Sequence, residues 1–283
     1  MNPVRRLGLV AHPDREAARN LVDYTREWCA ARDIATVIAE AAPLSVDGDP
    51  GPEGFGVGLD AVVSFGGDGT MLRTADLVSV ASVPVLGVNC GQMGYLTEVE
   101  PAHIDEALER LARGDYSVSE RTVLAVTVES EGPAAGTWTA LNEAVIEKTR
   151  PGRIVRFEVV VNGAPFTTYV ADGVIVATPT GSTAYAFSAG GPIVSPRLAC
   201  LLLTPVSPHM LFNRTLVLDD QDRLDLVVTD RPALLTLDGR ALGELEPGAV
   251  VHCICGPRPA RIITLGPRDF HQILKAKFGL ADR

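Results

Sequence analysis

Apolar positions recur in two different rhythms along this chain, and the rhythm changes near Arg121. Before that point short buried strands alternate with helical patterns. Residues 5–11 (RRLGLVA), 34–39 (IATVIA), 60–65 (DAVVSF) and 83–88 (VPVLGV) read as strands. After the first of these, Ala18, Leu21, Val22, Thr25, Trp28 and Cys29 fall on one face of a helix that Asp14 can cap. Met71, Ala75 and Val78 recur at helical spacing after the third strand. Ile104, Ala107, Leu108 and Leu111 mark a further helix, with Gly114 as its stop. Residues 43–58 (PLSVDGDPGPEGFGVG) have no period and read as an exposed, mobile loop. Strand–helix units this short imply a parallel sheet covered on both faces.

Beyond Arg121 the period is two. Residues 122–130, 138–147 (WTALNEAVIE), 154–171, 173–178 (GVIVAT), 222–229, 233–239 and 250–256 read as strands separated by turns. Asn162-Gly163 between two apolar runs predicts a hairpin, because both residues tolerate positive φ. The tail returns to helix, with Phe270, Ile273, Leu274 and Phe278 on one face. The expected architecture is an α/β N-terminal domain with a parallel sheet (1–121) and an all-β C-terminal domain (122–266). A C-terminal helix (267–283) returns to the α/β domain.

Length and charge fit this division. A chain of 283 residues is ample for two domains, and 46% apolar with 21% charged residues is a soluble, globular balance. A net charge of −10 disfavours nucleic acid and anionic lipid as partners. The N-terminus has no apolar core of signal-peptide type, and no apolar run is long enough to span a bilayer. The five cysteines include no C-x-x-C pair, and Cys253 and Cys255 alternate toward one buried face. A reduced, cytoplasmic protein without a zinc site is expected.

The chemistry concentrates in SFGGDGTMLRTAD, residues 64–76. Gly66, Gly67 and Gly69 let a ligand approach the backbone, and a helix starting near Thr70 would aim free N–H groups at it. The turn is neither a Walker A loop nor a dinucleotide fingerprint. Asp68 can be read as a helix cap, but capping explains none of the glycines, and no capping box follows. A carboxylate beside phosphate is unfavourable unless it accepts a proton or meets a metal ion. No histidine has triad-like surroundings, His209 included, and G-x-S-x-G is absent, so a Ser or Cys hydrolase is poorly supported.

GGDGT resembles the signature of a kinase superfamily that holds NAD kinases, diacylglycerol-type lipid kinases and, more distantly, phosphofructokinases. Three further stretches narrow the resemblance: ALNEAVIEK (140–148), VADGVIVATPTGSTAYAFSAGGPIV (170–194) and LTPVSPHML (203–211). In this order, over nearly the whole chain, they resemble the bacterial NAD kinase family. The resemblance implies phosphoryl transfer from ATP, with Mg²⁺ or another divalent cation, to the 2′-hydroxyl of the adenosine ribose of NAD. It implies Asp68 as base or hydroxyl anchor, with Gly66, Gly67 and Gly69 admitting phosphates and Arg73 and Arg153 facing them. Either arginine can equally be a surface charge. Asn142 and Glu143 would bond ribose hydroxyls or adenine, though a polar strand end facing water is the simpler reading of the pair. Thr180, Thr183, Ala184, Tyr185 and Ser188 resemble adenosine contacts, with Tyr185 stacking on the base. Asp172 would lie near the adenosine, or simply form an Asp-Gly hairpin turn. Ala186-Phe187 replace the Asn-Leu of many relatives, and Arg240 stands where Gln is common, which puts that ligand contact in question. A homodimer or homotetramer built through the β domain is also implied. A GGDGT lipid kinase and a non-catalytic NAD(P)-binding regulator remain as alternatives.

Overall fold

The structure, a computed structural model, describes residues 1–40, 54–91, 94–267 and 269–280. Residues 43–53 of the expected loop therefore lie outside the described residues, while 54–58 form turns. In chain order, β1 (Arg6–Ala11), α1 (Glu16–Ala30), β2 (Ala35–Glu40), β3 (Ala61–Gly66), α2 (Asp68–Leu77), β4 (Val85–Asn89), α3 (Ile104–Arg113) and β5 (Ser117–Arg121) come first. Then follow β6 (Leu124–Glu129), β7 (Gly136–Ala140), β8 (Glu143–Lys148), β9 (Val155–Val161), β10 (Ala164–Ala171), β11 (Gly173–Ala177) and α4 (Tyr185–Ser188). The chain ends with β12 (Cys200–Val206), β13 (Leu216–Asp219), β14 (Leu224–Val228), β15 (Ala233–Leu237), β16 (Arg240–Leu245), β17 (Val250–Cys255), β18 (Ala260–Thr264) and α5 (Phe270–Phe278).

Contacts divide the described residues into two units. One combines the chain through Glu120 with the segment from Ala260 onward; the other is Arg121–Pro259. In the first, the sheet runs β2-β1-β3-β4-β18-β5, and β1/β2, β1/β3, β3/β4 and β4/β18 pair parallel. Its core sets Leu9, Val63, Phe65 and Val88 against Val22 and Trp28 of α1 and Leu108 and Leu111 of α3. Every residue of β3 is buried, as a strand covered on both faces must be. The strand order reverses between β1 and β3, so their carboxyl ends flank a topological switch point, where ligands bind in folds of this class.

Two helix starts differ from expectation. Asp14 does not cap α1: Arg15 holds the cap position without a side-chain bond, and the Asp14 N–H donates to His12 Nδ1 at 3.2 Å. The chain leaving β1 spends His12–Arg15 on a turn, which places Asp14 one residue too early. Helix α2 begins at Asp68 rather than near Thr70, with Gly67 as an N-cap that offers no side chain. Gly114 does close α3, at φ 73°. Helix α5 belongs to the first unit, capped by Asp269 and stopped by Gly279 at φ 60°. Its apolar face is only partly covered, with Phe278 exposed.

The second unit stacks two antiparallel sheets, β10-β9-β14-β17-β6-β7 and β13-β12-β11-β8-β15-β16. Both line one core, with Val126, Phe157, Leu226 and Val251 facing Ile146, Val176, Leu203 and Leu235. Cys253 and Cys255 share that face. The second sheet buries its other side too: Val145, Ile175, Ala177 and Leu202 pack with Ala186 of α4. That is why GVIVA is buried throughout and unbroken in hydrophobicity, whereas period two was expected. WTALNEAVIE is not one strand. It divides into β7 and β8 on different sheets, with Leu141-Asn142 as the corner.

Asn162-Gly163 does form the predicted hairpin, at φ 52° and 78°. Asp172-Gly173 does not: β10 and β11 lie in different sheets, so this pair is a crossing between them. Gly173 runs so close to β8 that a Cβ there would sit 2.8 Å from the Ile146 carbonyl oxygen. That neighbour is backbone and cannot step aside. Gly173→Ala is therefore expected to lower unfolding free energy by about 1–3 kcal/mol, the usual cost of overpacking. Urea unfolding of the two proteins measures it, and an unchanged midpoint would show that the crossing has room.

Candidate active site

The glycine-rich turn leaves the carboxyl end of β3. A Cβ on Gly66 would collide with the Thr70 side chain, so that glycine is there for packing. At Gly67 the space a Cβ would fill is open. No side chain caps α2, which leaves its first N–H groups available to an anion. Gly69 lies in the first turn of the helix. Arg73 follows one turn later and is 8% exposed; its Nη1 is 3.5 Å from Asp76 Oδ2.

Asp68 is not loose in this turn. Its Oδ2 accepts the Tyr95 N–H at 2.7 Å and its Oδ1 accepts the Leu96 N–H at 2.9 Å. The loop after β4 reaches it because residue 94 is glycine: a Cβ there would collide with Oδ1. Neighbouring turns are joined as well. The His12 N–H donates to the Phe65 carbonyl at 2.9 Å, and Arg15 Nη1 donates to the Cys90 carbonyl at 2.8 Å. Gly94 and Arg15 escaped the sequence reading, since their partners lie far along the chain.

The other candidate residues assemble in the second unit, around the β7–β8 corner and the segment before β12. Asp238 fixes the corner, accepting N–H groups from Leu141, Asn142 and Glu143 at 2.7, 2.8 and 3.1 Å. The Asn142 carbonyl accepts the Thr178 N–H at 2.9 Å, and a Cβ on Gly181 would strike that same carbonyl. Ser182 ties the loop down: its hydroxyl donates to Pro179 O at 2.6 Å and accepts the Val194 N–H at 2.9 Å. The Thr183 hydroxyl donates to Thr180 O at 3.3 Å, and the Ala184 N–H donates to Gly181 O at 2.9 Å. On α4, Ala186 points inward while Tyr185 and Phe187 are each 38% exposed and Ser188 is exposed.

Glu143 is 8% exposed. Its carboxyl accepts the Tyr185 N–H, and burial, reinforced by the Asp238 charge, still pushes its pKa up to about 8. Two buried atoms here have no partner, Glu143 Oε2 and Thr180 Oγ1. Such atoms are rare in folded proteins and fit a site that a polar ligand completes. Asp172 pairs with Lys148 at 2.7 Å. Burial raises the Tyr185 hydroxyl pKa, and the charges of Glu147 and Asp172 raise it further. Arg153 stands apart on an exposed turn. Arg240 opens β16 with its guanidinium 5.3 Å from the Trp138 ring centroid. Among the described residues no group of three or more His, Cys, Asp or Glu is placed to hold a metal ion.

The raised pKa makes a stability prediction. The neutral form of Glu143 favours the fold fully below the ordinary carboxylate pKa of 4.5, and that contribution is lost as pH rises toward about 8. Glu143→Gln cannot ionise. Thermal unfolding of the two proteins against pH is expected to show the wild type losing ground from about pH 4.5 to about pH 8, then a constant gap. Parallel curves would mean that the carboxyl is already ionised in the fold.

Known proteins resemble this chain over most of its length. The family described as ATP-NAD kinase N-terminal domain matches residues 51–116, and the ATP-NAD kinase C-terminal domain matches residues 141–265. An NAD kinase of Syntrophotalea carbinolica is 38% identical over 291 residues, covering 99% of this chain and 100% of that one. The crystal structure of yeast NADH kinase complexed with NADH shares the fold at a TM-score of 0.82 and 20% identity, covering 100% of this chain and 89% of that one. An NAD kinase from Archaeoglobus fulgidus in complex with ATP does so at 0.71 and 24%, covering 97% of each. The C-terminal match, which spans the β7–β8 corner through β18, decides what GGDGT alone left open. The chain belongs to the NAD kinase family.

Proposed function

We propose that this enzyme transfers the terminal phosphoryl group of ATP to the 2′-hydroxyl of the adenosine ribose of NAD, giving NADP and ADP. The observation that carries the mechanism is the fixed carboxylate of Asp68 beside an uncapped helix N-terminus. Two of its lone pairs are engaged by Tyr95 and Leu96, and a carboxylate has further acceptor positions for a hydroxyl proton. The 2′-oxygen bonds to the terminal phosphorus, the bond to the bridging oxygen of ADP breaks, and Asp68 takes the hydroxyl proton. The first N–H groups of α2 and the open face at Gly67 suit phosphate, and Arg73 on the same helix supplies positive charge. Arg153, exposed on the other unit, has less support as a phosphate contact. Among the described residues no group of three or more His, Cys, Asp or Glu is placed to hold a metal ion, so a divalent cation would come as a companion of the nucleotide, held mainly by its phosphates. Bound there it neutralises charge on the transferred group.

Asn142, Glu143, Asp172, Thr180, Thr183, Ala184, Tyr185 and Ser188 hold the adenosine in this reading, supported by the orphaned Glu143 and Thr180 atoms and the exposed Tyr185 ring. Ala186 packs the turn inward, and Phe187, outward beside Tyr185, is a further candidate contact. Arg240, engaged with Trp138, is a weaker candidate for ligand contact. Five cysteines, all free, suit the cytoplasm. No helix among the described residues is long and apolar enough to cross a membrane. A homodimer or homotetramer would bury exposed Phe166, Leu211, Phe212 and Val217 of the β unit.

Asp68→Asn is expected to lower kcat about 10²–10⁴-fold while NAD still binds. NADP formed from ATP, Mg²⁺ and NAD is read by a dehydrogenase specific for the phosphorylated cofactor. Full activity in a folded variant would end this reading. Tyr185→Ala is expected to raise the KM for NAD about 5–100-fold, the range for loss of a base stack; an unchanged KM removes Tyr185 from the adenosine site.

A further inference from the structure

Asp238 has no part in the chemistry above, yet its carboxylate is heavily used. It forms with Gly239 the two-residue turn between β15 and β16, both at left-handed φ, 47° and 81°. A turn of this kind is served equally well by Asn-Gly, and Asn162-Gly163 does so elsewhere in the same unit. The demand for aspartate therefore comes from outside the turn. Leu141 and Asn142 lie between strands of different sheets, where backbone N–H groups lack a ladder partner. Asp238 supplies it: Oδ2 takes the Leu141 N–H, and Oδ1 takes those of Asn142 and Glu143. Its own N–H returns to the Glu143 carbonyl at 3.1 Å. Four hydrogen bonds thus hold three consecutive residues from one position about a hundred residues away.

We propose that Asp238 is a positioning residue for NAD: it gathers the N–H groups of Leu141–Glu143 onto one carboxylate and so sets the corner from which Asn142 and Glu143 meet the adenosine. This rests on the assignment of those two residues to NAD in the preceding section. Asp238 also acts on Glu143 through charge. Beside Glu143, β11 (GVIVA) and β15 (ALLTL) carry no titratable group, and α4 contributes Tyr185, whose N–H it bonds. Asp238 is the anion that faces it, and it helps keep Glu143 protonated to about pH 8. A protonated Glu143 can donate a hydrogen bond to a ribose oxygen or a base nitrogen; an ionised one can only accept.

Asp238→Asn isolates the carboxylate, because Asn tolerates the left-handed φ. It puts an NH₂ group against a backbone N–H and removes the charge. The KM for NAD is expected to rise about 10-fold, the scale of one lost hydrogen bond to a charged group, with the KM for ATP unchanged and kcat within about threefold. The alkaline fall in kcat/KM for NAD, set by Glu143, is expected to move to lower pH, since losing the Asp238 charge lets Glu143 ionise sooner. In a Glu143→Gln background that movement is expected to vanish. A folded variant with the wild-type KM and pH profile overturns the proposal. Calorimetric NAD titrations of both proteins separate it from the reaction itself: a wild type that binds NAD but forms no NADP refutes the reaction, and the ratio of affinities then decides Asp238. A wild type that binds no NAD refutes both. If the variant does not fold, hydrogen exchange on the ligand-free wild type decides. The Leu141–Glu143 amides are expected to be protected, and free exchange there overturns the proposal.

Discussion

Backbone N–H groups stranded where strands end must find acceptors, and in this protein carboxylate side chains, Asp68 and Asp238 among them, provide several. Asp68 gathers two N–H groups from the loop after β4, and Asp238 gathers three from the β7–β8 corner. Each bond is charge-assisted, and four of the five are 2.7–2.9 Å long. Glycines make room beside both. Gly94 lets its loop close on Asp68, and Gly181 lets the next loop close on the Asn142 carbonyl. A carboxylate in a phosphate-type turn is thus also a structural tie. Its two oxygens each accept a peptide N–H, which fixes the carboxylate in one orientation.

The second sheet of the β unit extends this rigidity to the candidate adenosine residues. Its central strands are buried on both faces, by the sandwich core on one side and by Ala186 with its neighbours on the other. Side chains at its strand ends are therefore carried on a frame with little freedom, as pre-organised binding requires. The four-residue helix α4 shows how a small residue achieves this. Ala186 anchors the turn, and its neighbours Tyr185 and Phe187 are left outward. At this corner Glu143 Oε2 and Thr180 Oγ1 are buried without a hydrogen-bond partner, against a background of bonded neighbours.

Local signals in the sequence were read well and distant ones were not. The β–α alternation, the Asn162-Gly163 hairpin and the Gly114 stop depend on residues a few positions apart, and all three are present. The division of WTALNEAVIE was hidden because period two looks the same whether a strand continues or crosses to the facing sheet. Continuous burial of β11 needed knowledge of α4 lying over it. Asp14 had the composition of a cap but not the position, since the turn after β1 uses one residue more than the pattern reveals. Gly94 and Arg15 left no signal, and Asp238-Gly239 could be read only as a turn beside Arg240: the partner of Gly94 is Asp68, and those of Asp238 lie 95–97 residues away.

Three Asp-Gly pairs make the same point chemically. Asp68-Gly69 starts a helix, Asp238-Gly239 makes a hairpin, and Asp172-Gly173 crosses between sheets. The dipeptide does not choose; the partner of the carboxylate does. Asp172 meets the ammonium of Lys148 at 2.7 Å, so its charge is balanced by an opposite charge. Asp68 and Asp238 instead accept backbone N–H groups, two and three respectively. The same means of satisfying stranded amides therefore underlies both proposals, in which Asp68 meets the acceptor hydroxyl and Asp238 sets the corner that carries Asn142 and Glu143.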